Sequence, residues 1–202
     1  NIELKIGGMH NVENAVAAIA VAHELEIREE KIKAAVADFK GVRRRFEYVI
    51  PPVKQQQGAY VEPVLIDDYA HHPEELSSLL KSVKSLFPQR LLTVVFQPHL
   101  FTRTRDLADG FAKALSIANR VILLPIYPAR ELPIESVTSE IIYQRVEAED
   151  KLMFEKDALI SWMKNHVNNI NKEFGEVIVM AGAGDIDTLI SPVKNILEGR
   201  ES

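Results

Sequence analysis

Apolar residues follow one spacing in the first forty residues and another in the rest of the chain. In the first part, Ala15, Ala18, Ile19, Ala22 and Leu25 recur at helical intervals, as do Ile32, Ala35, Val36 and Phe39. Positions three and four apart share one face of a helix, so residues 9 to 40 predict two helices. GVRRRFEYV at 41–49 then runs from a glycine through three arginines into a strand-like exit. Beyond it the apolar residues come in short unbroken runs: VLIDD (64–68), LLTVVF (91–96), RVILLP (120–125) and EVIVMAG (176–182). Such runs are characteristic of strands buried on both faces of a parallel sheet. KLMF (151–154) predicts a further strand, and 73–86, 104–118, 157–167 and 185–198 predict the helices between or after them. QQQG at 55–58, between Pro52 and Pro63, predicts an exposed hairpin loop. Strands alternating with helices predict an α/β fold. It is a Rossmann-like, open and mostly parallel sheet with helices on both faces, occupying 43–202 behind a mainly helical segment at 1–42.

Composition narrows what this fold can do. With 47% hydrophobic and 26% charged residues, the 202-residue chain has the balance of a soluble protein with a substantial core. A net charge of −5 argues against nucleic acid as a partner, so an anionic ligand must be held by individually placed arginines or lysines. Cysteine is absent, which removes disulfides, thiolate catalysis and zinc–sulfur sites and fits a reducing cytoplasm. AVAAIAVA at 15–22 is too short to cross a bilayer, and no signal peptide precedes it. The first residue is Asn1 rather than Met, so the expectation is a piece of a longer polypeptide.

In open parallel sheets, ligands bind beyond the carboxyl ends of the strands. Three such ends carry polar residues out of keeping with their apolar strands: Asp67, Asp68 and Tyr69 with His71 and His72; Gln97-Pro98-His99; and Gly182-Ala183-Gly184-Asp185. His71 and His72 make a poor metal site, since adjacent imidazoles rarely reach one ion and no third ligand accompanies them. Pro73, Glu74 and Glu75 suit a helix start, which leaves the aspartates and histidines for ligand contact. In FQPHLFTRTRDL (96–107), Arg103 and Arg105 fall where a helix is expected to begin. A cation is disfavoured there unless an anion joins it. The plainer alternative is that both reach surface acids, and Arg105 has acids close by. AGAGDID (181–187) is a glycine turn in which Asp187 takes the place of a third glycine, so tight packing explains it as well as a phosphate does. Arg43–Arg45 reads as a solvated charge patch, or as a reach toward phosphate at a domain junction.

Taken together, GMHNVENAVAAIAVA (8–22), GVRRRFE (41–47), DDYAHHPEE (67–75), FQPHLFTRTRDL (96–107) and AGAGDI (181–186) resemble the Mur ligases, in family order and over nearly the whole chain. The resemblance implies that 1–42 ends the central ATP-binding domain and that 43–202 is the C-terminal Rossmann-like domain, with the N-terminal and most of the central domain outside this chain. It implies ATP-driven amide formation between UDP-N-acetylmuramate and L-alanine through an acyl phosphate, in the cytoplasm. His10, Asn11 and Asn14 would lie at the nucleotide base, Arg45 at the ATP phosphates and Asp68 at the ribose. Tyr69, His71, His99 and Arg103 would surround the muramoyl-alanine end. Arg45, His71, His99 and Arg103 are then the catalytic candidates, and Gly182 and Gly184 join the substrate-binding ones. Leu100 departs from relatives with an arginine beside the histidine, which shifts work onto Arg103. No GxxxxGKS/T stretch occurs, and the family's magnesium ligands are expected outside this chain, so these residues alone are not expected to turn over. Two other readings are a ligase that recycles preformed peptide onto UDP-N-acetylmuramate and a non-catalytic nucleotide-binding module of Rossmann type.

Overall fold

Alternation along each strand decides the layering. The structure, a computed structural model, describes residues 2–4, 6–53 and 61–200. The QQQG loop at 55–58 lies outside the described residues. Two helices, α1 (Met9–Glu24) and α2 (Glu29–Asp38), precede the sheet. Its strands are β1 (Glu47–Ile50), β2 (Val64–Asp68), β3 (Leu91–Phe96), β4 (Arg120–Leu123), β5 (Asp150–Met153) and β6 (Glu176–Ala181). Their order is β1-β2-β6-β3-β4-β5, with β1 antiparallel to β2 and every other pair parallel. All residues of β2 and β6 are buried. Val64, Ile66, Val94, Phe96, Val177 and Val179 face one layer; Leu65, Val95, Ile178 and Met180 face the other. That is the period-2 alternation of a strand, apolar in both phases because helices cover both faces.

The first layer is α3 (Pro73–Leu86) with α5 (Ala108–Leu115) and α6 (Glu140–Tyr143), which contribute Leu76, Leu80, Phe111, Leu115 and Ile142 to the core. The second is α7 (Lys156–His166) and α8 (Ile190–Leu197), contributing Leu159, Met163, Val193 and Leu197. The doubly wound expectation holds. Three helical segments differ from those predicted. The helix predicted over 104–118 starts earlier, as α4 (Phe101–Asp106), and breaks at Leu107 before α5. Phe111 and Leu115 of α5 belong to the core against the sheet, whereas α4 contributes no residue to that apolar cluster. The segment 185–198 opens as a 3₁₀ turn, Asp185–Leu189, before α8. At four residues, α6 is too short for periodicity to announce it.

The amino ends of the strands hold a buried polar cluster of their own. Glu176 on β6 is 2% exposed, and its carboxylate accepts from the Thr93 hydroxyl of β3 and lies 2.7 Å from His166 Nε2 of α7. Arg120 on β4 reaches the same carboxylate at 3.4 Å and Asp150 of β5 at 2.6 Å. Its guanidinium also lies over the Trp162 ring, which stacks on His166 at 4.3 Å. Removing one member of such a pair leaves a buried charge unmatched. Arg120→Ala is therefore expected to lose about 3–5 kcal/mol of stability, read from urea unfolding. An unchanged midpoint would mean that Glu176 is satisfied without the guanidinium.

Candidate active site at the carboxyl rim

Register sets the site. Asp68 of β2 and Phe96 of β3 both pair with Ala181 of β6, so three strand ends finish level. The loops that follow are therefore neighbours although more than 100 residues of sequence separate the first from the last. The sequence-predicted residues at these ends do come together.

Asp68 is 7% exposed and already employed. One carboxylate oxygen accepts the Phe46 N–H at 2.7 Å and the other the Ala70 N–H at 2.7 Å. Tyr69 N–H donates to the Arg44 carbonyl at 2.7 Å, so the 44–46 turn is tied to the end of β2 twice over. That turn needs the ties, because Arg44 and Phe46 both adopt left-handed backbone, at φ 58° and 51°. The three arginines consequently part company. Arg43 and Arg45 are exposed, and Arg44 points inward. Its guanidinium donates to the Gly182 carbonyl at 2.7 Å and lies 3.3 Å from Asp67 and 3.5 Å from Asp187, over the ring of Tyr69. The solvated-patch reading fails for Arg44. Asp67, beside it, is pushed up from 3.8 to about 6; burial is the main cause, Arg44 opposes it, and Glu47 and Asp68 add to it.

From Arg44 a row of rings crosses the rim. Tyr69 meets His71 at 5.2 Å, His71 meets His99 at 5.8 Å, and His99 stacks on Tyr127 at 5.8 Å. His71 Nδ1 lies 2.8 Å from the Tyr69 carbonyl, which can only accept, so the proton is on Nδ1 and Nε2 is left as the acceptor of the neutral ring. Glu75 accepts from the His71 and His72 N–H groups at 3.0 and 3.1 Å, which makes the helix-start reading of this stretch correct as far as it goes. His99 is held below the ordinary histidine range, first by burial, then by Arg103 and His71, with Glu131 opposing. Arg103 Nη1 lies 3.5 Å from His99 Nδ1.

The dipole rationale for Arg103 does not survive. In a helix of six residues, Arg103 and Arg105 belong to the last turn, where cations are welcome. Arg105 pairs with Asp106 at 2.7 Å, as the plainer reading had it. Arg103 remains notable for its place: it lies beside His99 and, like Arg45 and the exposed Arg43 and Arg130, has no carboxylate partner among the described residues, whereas Arg44, Arg105, Arg120 and Arg145 do.

Between α1, the 44–46 turn and α3 lies a cleft of about 300 Å³ lined by Asn14, Arg45, Asp68, Tyr69, His71 and Glu75. Asn11 does not line it; its buried side-chain amide donates to the Gly7 carbonyl at 2.6 Å. The side chain of His10 lies outside the described residues. The glycine turn is explained by packing. A Cβ on Gly182, at φ 149°, would sit 2.8 Å from the Gln97 carbonyl, and one on Gly184 would sit 2.4 Å from Gln97 Oε1 and 2.6 Å from Tyr127. Among the described residues no group of three or more His, Asp and Glu is arranged to hold a metal ion. Sequence reasoning passed over Arg44, Tyr127 and Glu131. For the last two a signal existed, since the loop after a fourth parallel strand must reach the same rim.

A family model for the Mur ligase glutamate ligase domain matches residues 44–184. The chain belongs to the Mur ligase family. UDP-N-acetylmuramate–L-alanine ligase of Cytophaga hutchinsonii is 42% identical over 99% of this Mur ligase chain and 40% of its own length. The crystal structure of UDP-N-acetylmuramate–alanine ligase from Thermotoga maritima superposes with a TM-score of 0.69 at 28% identity, over 98% of this chain and 39% of that one. A MurF ligase from Thermotoga maritima in complex with ADP shares the fold, with a TM-score of 0.66 at 16% identity, over 99% of this chain and 42% of that one. This Mur ligase chain thus spans about two fifths of the length of the curated relatives it matches. Among its described residues, no helix is long and apolar enough to cross a membrane.

Two titrations check the electrostatics. Asp67 binds its proton more tightly folded than unfolded, so its contribution to stability is full below pH 3.8 and is lost as pH rises through about 6. Asp67→Asn is expected to flatten that fall by up to about 3 kcal/mol, read from melts between pH 4 and pH 7. His99 is expected to titrate below free histidine in an NMR pH series, and Arg103→Ala to move it upward. A His99 that does not respond to Arg103 would break the pairing.

Proposed function

We propose that this chain is the C-terminal portion of a cytoplasmic, ATP-dependent peptidoglycan-precursor ligase that joins L-alanine to UDP-N-acetylmuramate. The observation that carries this reading is the placement of two arginines without carboxylate partners, Arg45 in the cleft and Arg103 beside the row of rings. Arg45 lines the cleft with Asp68 and Asn14, and Arg103 lies beside His99 further along the row of rings. A guanidinium at the rim without an acid is suited to an anion delivered by a ligand. Two such groups match two anions, a nucleotide phosphate at Arg45 and the carboxylate of the incoming amino acid at Arg103.

In the reaction the muramate carboxylate attacks the terminal phosphate of ATP, giving an acyl phosphate and ADP. The amine of alanine then attacks the acyl carbon, phosphate leaves, and the nitrogen gives up a proton. The contributions of this chain are orientation and charge. Arg45 offsets developing phosphate charge, Arg103 fixes the alanine carboxylate so that its amine points along the row, and His71, its Nδ1 turned to the Tyr69 carbonyl, presents Nε2 to the site. Asp68 holds the Arg45 turn as well as facing the cleft, so its role at the ribose is tied to its role in the fold. Magnesium, with its ligands expected outside these residues, would supply positive charge to offset that of the ATP phosphates. The exposed Val12, Val16 and Val21 of α1, with Leu25 just after it, support the view that residues 1–42 pack against more of a central domain. Without that domain, these residues alone are expected to be inactive.

Kinetics of the full-length enzyme test the assignment. Arg103→Lys keeps the charge but loses the planar fork, and is expected to raise the KM for L-alanine about tenfold to hundredfold with little change for ATP. Arg45→Ala is expected to do the reverse. If both variants raised both constants alike, the division of the rim into a phosphate end and an amino-acid end would be wrong.

A further inference from the structure

The loop after β4 takes no part in the assignments above, yet it is fastened to the loop that carries His99 and Arg103. Tyr127 N–H donates to the Pro98 carbonyl at 2.8 Å, and Leu100 N–H donates back to the Tyr127 carbonyl at 2.9 Å. This bridge leaves the Tyr127 ring flat against His99, with an interplanar angle of 21°. The base of the Tyr127 side chain also packs close to Gly184, where a Cβ would sit 2.6 Å from it, so Tyr127 neighbours two loops. Four residues on, a turn with Ala129 at φ 51° and Glu131 N–H donating to the Pro128 carbonyl at 2.9 Å aims Glu131 back across the rim. Both of its carboxylate oxygens are used. One accepts the Thr102 N–H at 3.0 Å and the other the Thr102 hydroxyl.

The helix that receives these bonds cannot look after itself. It has six residues, and its N-cap is Leu100, at φ 71° and without a side chain able to cap. A helix this short is marginal on its own, and an uncapped first turn leaves N–H groups unsatisfied. Glu131 supplies from 29 residues away what a serine or aspartate at position 100 would have supplied locally. It also keeps a negative charge against the first turn, where the helix field favours one.

We propose that Glu131 and Tyr127 are positioning residues for the amino-acid end of the site: Glu131 caps α4 from outside and Tyr127 braces the His99 ring, which together fix where Arg103 and His99 point. This rests on the assignment of Arg103 to the alanine carboxylate. Neither residue touches the reacting atoms. Removing the cap releases the segment 100–103, so the amino acid is the substrate that suffers, and the nucleotide cleft on the far side of His71 is spared.

The test is steady-state kinetics of the full-length enzyme carrying Glu131→Ala, with L-alanine, ATP and UDP-N-acetylmuramate varied separately. The expected result is a fall of about ten- to hundredfold in kcat/KM for L-alanine, with the ATP constants within about twofold of wild type. Glu131→Gln, which keeps an acceptor oxygen for the Thr102 N–H, is expected to recover part of the loss. Tyr127→Leu is expected to lower alanine use by the same route. Wild-type alanine dependence in Glu131→Ala would overturn the proposal, and so would equal losses for all three substrates, which is what general destabilisation gives. A second readout is independent of turnover: the NMR contacts between the His99 and Tyr127 rings and the protection of the Thr102 and Arg103 amides, measured in this chain. Both are expected to weaken in Glu131→Ala, and their persistence would overturn the proposal. If instead they weaken but the wild-type enzyme shows no alanine-dependent phosphate release, the positioning role stands and the substrate assignment falls.

Discussion

One guanidinium holds the rim together. Arg44 spans the ends of β2 and β6, donating to the Gly182 carbonyl and drawing Asp67 and Asp187 toward a single charge while Tyr69 lies across its face. Taking a guanidinium out of water is costly unless its donors find partners, and those partners come from two strand ends and a loop. The cation therefore acts as a gauge. Even here Arg44 Nε and Asp67 Oδ1 are buried without a hydrogen-bond partner, so the cation is held by the Gly182 carbonyl and by the charge of the two aspartates, and strand ends in the wrong register would leave it shorter still of acceptors. The left-handed backbone at Arg44 and Phe46 is what this device costs, and the bonds from Asp68 offset that strain.

The two ends of the sheet use polar groups in opposite ways. At the amino end, Thr93, Arg120, Asp150, His166 and Glu176 satisfy one another. At the carboxyl end some groups are satisfied and others left over. Asp68 is bonded through both oxygens, whereas Arg45 and Arg103 lack carboxylate partners among the described residues. A closed network serves rigidity, and a network with cations to spare serves ligands. The family match covers the stretch in which both networks lie, residues 44–184.

Much of this was legible in sequence, for definite reasons. The strands announced themselves because both faces are buried, which leaves unbroken apolar runs. Asp68, His71 and His99 stood out because polar residues at the end of such a run have no packing role to excuse them. Arg44 did not stand out, since a run of three arginines carries no period to mark the inward one; the left-handed turn decides that. Arg103 was singled out on a wrong premise, because the helix breaks at Leu107 and its field runs the other way for the residue concerned. Tyr127 and Glu131 escaped notice because their partners are distant, as the 29-residue gap between Thr102 and Glu131 illustrates. The glycines at 182 and 184 were read as possible ligand contacts, whereas their lack of a side chain makes room for Gln97 and Tyr127.

The order of the strands has a consequence for how such a molecule is made. β6 is the last strand in sequence, yet it lies between β2 and β3, near the middle of the sheet. During synthesis the earlier strands leave the ribosome while the slot between β2 and β3 is still empty. Until β6 is available, each of those strands shows an unpaired apolar edge, the kind of surface on which chains add to one another. The parallel pairing that fills the gap closes long loops and is slow by nature. The sheet is therefore half-built, with apolar edges open to other chains, until that last strand is threaded home.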